Sequence, residues 1–96
     1  MQIQHIKLIS PGIIEIAFSY SGGCEEHEFN LYSSGGMIKT QPPKISLYLV
    51  DHQENDPCRQ LLTATKRFDI SDALPEDHKK AILLVNNNFE YQIENY

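Results

Sequence analysis

Apolar and polar residues alternate along most of this chain with a period of two, and breaks rich in Gly, Pro and Asn interrupt the alternation. A period of two belongs to an extended strand, whose successive side chains point to opposite faces. Helical spacing is nearly absent, so the fold must be built from strands. Residues 2–9 form a first predicted strand, closed by Ser10-Pro11-Gly12. From Ile13 to Tyr20, Ile14, Ile16, Phe18 and Tyr20 share one face while Glu15, Ala17 and Ser19 take the other. Ser21-Gly22-Gly23 follows, with the conformational freedom for a sharp change of direction. A third strand over 25–32 puts His27, Phe29 and Leu31 on one face. Residues 33–43 read as a long loop, since its two prolines cannot sit in a central ladder. The segment 44–52 opposes Ile45, Leu47 and Leu49 to Ser46, Tyr48 and Val50, a mixed apolarity that suits a central strand.

Asp56-Pro57 is a helix-start signal, with an N-cap carboxylate followed by a residue already held at helical φ. It predicts a short helical turn over 57–63 that packs Leu61 and Leu62 against the sheet. Strand resumes over 65–70, with Phe68 and Ile70 sharing a face, and 71–77 reads as a loop with a helical turn. Segments 80–85 and 89–94 make a hairpin through Asn86-Asn87-Asn88, whose side chains tolerate left-handed backbone. About seven short strands separated by turn signals predict an all-β fold, an antiparallel β-sandwich in one domain spanning 1–96. A chain of 96 residues suffices for one core.

Charge and motif content narrow the function. Eight Lys+Arg against thirteen Asp+Glu give a net charge of −5, which argues against nucleic acid, because binding to phosphate backbones needs a cationic face. No apolar run approaches the roughly 18 residues of a membrane-spanning helix. There is no βαβ alternation, no glycine-rich phosphate loop and no internal repeat, so a nucleotide enzyme is not expected. Ser21-Gly-Gly and Ser34-Gly-Gly are turns between strands rather than nucleophile elbows. The expected partner is a protein or small ligand, with Tyr32, Tyr48, Tyr91 and Tyr96 as candidates for an aromatic surface, and the expected state is a monomer or weak homodimer. Read as it stands, the N-terminus predicts a cytoplasmic chain; removal of a leader would make it periplasmic or secreted.

One cluster carries chemistry. Cys24 and His27 stand at the start of the third strand, His52 and Cys58 beyond the end of the fourth, and antiparallel pairing of those strands brings the two groups to one end of the sheet. Two thiolates and two imidazoles satisfy tetrahedral zinc. The same geometry permits a Cys24–Cys58 disulfide, and in a reducing compartment two buried thiols with His27 as a hydrogen-bonded core residue. A thiol-dependent enzyme or redox protein pairing Cys58 with His27 or His52 is the competing function, although no oxyanion-hole motif or orienting third group accompanies the pair. His5 and His78 are expected to be exposed. The expected function is a non-enzymatic binding or accessory domain whose Cys/His cluster is a structural staple.

Tyr20-Ser-Gly-Gly-Cys-Glu-Glu-His27-Glu-Phe29, with Pro42-Pro-Lys-Ile-Ser-Leu-Tyr-Leu-Val-Asp-His52, Asp56-Pro-Cys58 and Arg67-Phe-Asp-Ile70, resembles a family of small bacterial β domains of uncharacterised activity, many carried on secreted lipoproteins. The resemblance covers residues 18–75 and centres on Ser-Gly-Gly-Cys-x-x-His-x-Phe. It implies no catalytic residue, and it implies that Cys24, His27, His52 and Cys58 belong to the motif together.

Overall fold

The computed structural model describes residues 1–53, 55–75 and 80–94. The seven strands run β1 (Gln2–Ser10), β2 (Ile13–Gly22), β3 (Phe29–Ile38), β4 (Lys44–Asp51), β5 (Gln60–Asp69), β6 (Lys80–Val85) and β7 (Phe89–Glu94), with one 3-10 turn at Ser71–Ala73. They form a three-stranded sheet in the order β1-β2-β5 and a four-stranded sheet in the order β3-β4-β6-β7.

The alternation seen in the sequence becomes the interior. Ile14, Ile16 and Phe18 of β2 are fully buried, and the other sheet answers with Ile45, Leu47 and Leu49 of β4 and Ala81, Leu83 and Val85 of β6. Each large apolar side chain so buried contributes about 1.5–3 kcal/mol. Phe18 and Phe29 meet edge to face across the core, with ring centroids 4.7 Å apart. The central position expected for the 44–52 strand is observed, since β4 lies between β3 and β6. Asn86 and Asn87 adopt φ of 53° and 59° between β6 and β7, as the triple-Asn hairpin requires. Asn86 Oδ1 also accepts the Leu49 amide at 2.9 Å, serving β4 where the β6 ladder ends.

Several expectations are corrected. The helical turn over 57–63 is absent: Gln60 already belongs to β5, which pairs with β2 over ten consecutive residues. Leu61 is 75% exposed rather than packed on the sheet, while Leu62 and Ala64 turn inward. Thr63 and Thr65 favour a pleated strand, and an unbroken ladder with β2 outweighs a local cap signal. The loop expected over 33–43 is shorter, because β3 continues to Ile38 past an irregularity between Ser33 and Met37. The third strand also begins later, at Phe29. Finally, the sandwich is not wholly antiparallel: the chain leaves β4, passes through β5 in the other sheet, and returns as β6 parallel to β4. His78 and Tyr96 lie outside the described residues.

Candidate functional site

The β2–β5 ladder, not the β3–β4 pair, brings the cysteines together. Its last pair is Gly22 with Gln60, and continuing the same register by two residues sets Cys24 opposite Cys58. The two form a disulfide with Cα atoms 5.5 Å apart, spanning 34 positions of sequence. The bridge therefore closes the end of the three-stranded sheet as a further rung.

Asp56 lies beside that rung, and its carboxylate gathers the neighbouring backbone. It accepts amides from Gly23 at 3.2 Å, Cys24 at 3.3 Å, Glu25 at 3.1 Å and Cys58 at 2.9 Å. The capping chemistry read in Asp56-Pro57 is thus present, but it is spent on a loop two strands away rather than on a helix. Short polar side chains serve turns in this way because an Asx carboxylate can take the amide two residues on.

His27 joins this knot to the other sheet. Its Nε2 lies 2.7 Å from Asp56 Oδ2 and its Nδ1 lies 2.7 Å from Asp51 Oδ2. Asp51 ends β4 and pairs with Phe29 at the start of β3. The imidazole is 2% exposed, with Asp56 at 3% and Asp51 at 19%. Tyr20 of β2 flanks the ring with centroids 4.8 Å apart, and Phe29 stacks at 6.0 Å. A neutral ring would point a lone pair at one of the carboxylates, so the doubly protonated imidazolium is the form that donates to both. The hydrogen bond with Asp56, then that with Asp51, raises the His27 pKa above its ordinary 6.5, against the opposing effect of burial. Burial pushes the Asp56 carboxyl up, but the hydrogen bond from His27 and the amides of Cys58, Glu25 and Cys24 outweigh it and lower the pKa to about 2.

Two glycines make room for the arrangement. A Cβ on Gly22 would lie 2.6 Å from His27 Nε2 and 2.9 Å from Asp56 Oδ2. Gly23 has a φ of +121°, and a Cβ there would lie 2.9 Å from Gln60 Oε1. Gly22→Ala is expected to destabilise the protein by about 1–3 kcal/mol through overpacking. Denaturant unfolding should show it as a lower midpoint at unchanged slope.

Of the four residues singled out in the sequence, the structure joins Cys24 to Cys58 and links His27 to them through Asp56. It does not bring in His52, whose exposed ring meets the Tyr32 hydroxyl, with Nε2 3.3 Å from the oxygen. Among the described residues, the group with potential ligand atoms within 4.8 Å of one another is Cys24, Asp56 and Cys58. Sulfurs joined to each other are not the thiolates that zinc takes. Asp51 and Asp56 were missed as partners of His27. The inward His27 of the strand pattern carried the signal for them, since a buried imidazole requires hydrogen-bond partners.

Of the expected aromatic surface, Tyr32 and Tyr48 stand side by side in the β3–β4 register and are exposed, whereas Tyr91 packs against the core. Among the described residues, no helix is long and apolar enough to cross a membrane. No family model, curated protein or solved structure matches the chain.

Proposed function

We infer that the chain is a non-enzymatic binding or accessory β-sandwich that works in an oxidising compartment, with the Cys24–Cys58 end serving as a structural staple. The observation that carries this reading is how fully the cluster's reactive groups are engaged. The sulfurs are bonded to each other, both ring nitrogens of His27 face carboxylates, and Asp56 accepts four amides besides. A general base or nucleophile needs a free lone pair in reach of substrate. Here the lone pairs hold the two sheets together.

The oxidising compartment follows from the bridge, because cytosolic thiols are kept reduced. It also agrees with the secreted setting of the lipoprotein-borne domains that the motif resembles. Thiol alkylation and metal analysis of the native protein test the reading. The expected result is no labelled thiol and no bound zinc before reduction, and two labelled thiols after reduction and unfolding. One fast-reacting thiol in the native state would favour the thiol-enzyme alternative, and stoichiometric zinc would favour the metal site.

A further inference from the structure

Each sheet has two edge strands, and an edge strand offers unpaired amides and carbonyls along one side. Proteins commonly protect such edges with charged side chains. Here β1 carries His5 and Lys7, β5 carries Lys66, Arg67 and Asp69, and β7 carries Glu90 and Glu94. The remaining edge, β3, has no charged residue in its ten positions.

The same edge concentrates exposed apolar surface. Tyr32, Met37 and Ile38 of β3 are exposed, and Tyr48, the ladder partner of Tyr32, is exposed beside it. Beneath β3 a cleft opens between the sheets, lined in part by Leu31, Leu47, Ile70 and Ala73. The irregularity between Ser33 and Met37 limits the straight part of the edge to Phe29–Ser33.

We propose that this uncharged edge pairs with the β3 of a second copy, antiparallel and centred on Leu31, joining the two four-stranded sheets into one. The occupant follows from charge. Each copy carries −5, and β3 is the one edge strand along which two copies can approach without placing like charges in the ladder. Two-fold symmetry makes such a contact self-complementary. Residues directly opposite in an antiparallel ladder share a face. Leu31 therefore meets Leu31 of the second copy on the inner face above the cleft, and Asn30 meets Tyr32 of the second copy on the outer face. Five residues per strand make a small interface, so the dimer is weak and depends on concentration. The proposal is independent of the staple's role.

Sedimentation velocity over rising concentration tests it. The parent protein is expected to shift from monomer toward dimer. Asn30→Lys/Tyr32→Lys places two pairs of like charges across the ladder and should remain monomeric, as should Asn30→Glu/Tyr32→Glu. An equimolar mixture of these two variants should dimerise again, whereas Lys66→Glu on β5 should leave the parent behaviour unchanged. Hydrogen exchange of the parent gives a second readout that needs no variant: amides of Phe29–Ser33 should gain protection with concentration, and those of β1, β5 and β7 should not. A parent that stays monomeric at millimolar concentration overturns the proposal. A double-Lys variant that dimerises like the parent, or a mixture that stays monomeric, does the same.

Discussion

Cys24→Ser/Cys58→Ser is expected to unfold roughly 15–25 °C below the parent protein, the shift that a loss of about 3–4 kcal/mol produces in a domain of this size. The loss arises mainly in the unfolded chain. The bridge closes a loop spanning 34 positions, and opening it restores conformational freedom to that ensemble. A second contribution comes from the folded side. Asp56 holds the amides of both Cys24 and Cys58, so a loosened rung also loosens the carboxylate that anchors His27. Thermal unfolding monitored by far-UV circular dichroism, with and without reductant, measures the effect. A shift of only a few degrees would mean that the ladder and the Asp56 knot hold this end without the bridge.

The other large effect belongs to Asp56. Asp56→Asn keeps one carbonyl oxygen but turns an NH2 group toward amides that are themselves donors, and it removes one of the two anions facing His27. A drop in melting temperature on the order of 10 °C is expected, far more than for an exposed acid such as Glu26. The pH dependence of the parent has a defined sign. The His27 pKa is raised above 6.5 by folding, so its contribution is complete below 6.5 and is lost as pH rises through the higher folded value. Asp56 is lowered from 3.8 to about 2, so its contribution is present above 3.8 and is lost as pH falls toward 2. These two groups together place maximal stability between 3.8 and 6.5. Asp69, lowered by the hydroxyl and amide of Ser71, adds to the acid limb. The alkaline limb is therefore the cleaner probe of the cluster, and His27→Gln should flatten it. Denaturant midpoints across that range decide the matter; an alkaline limb that survives His27→Gln would assign it to another group.

The strands were legible where alternation and turn chemistry agreed. Ile14, Ile16 and Phe18, the triplet Ile45, Leu47 and Leu49, and the triple-Asn hairpin all stand as their local pattern dictates. The β5 start was misread because Asp56-Pro57 carries a genuine capping carboxylate, and sequence does not say whose amides it will cap. Pairing of β6 parallel to β4 was not legible at all, since it depends on β5 joining the opposite sheet. At the site, the closeness of Cys24 and Cys58 was anticipated, but through the wrong pair of strands. The β3–β4 geometry suggested His52 as a companion, whereas the β2–β5 register brings the cysteines together and leaves His52 beside Tyr32. His27 was correctly placed on the inward face. Its carboxylates come from the end of β4 and from the loop before β5, separations of 24 and 29 residues that no local pattern encodes.

At the centre of the account is a buried, charged His27 held between Asp51 and Asp56, clipping the bridged sheet to its neighbour. Long-range nitrogen–proton NMR spectra of the imidazole rings, followed through a pH titration, examine that ring directly. The expected spectrum has both His27 nitrogens protonated near neutral pH, with the ring titrating above the ordinary 6.5. A His27 ring with one bare nitrogen at neutral pH, titrating at or below that value, would contradict it.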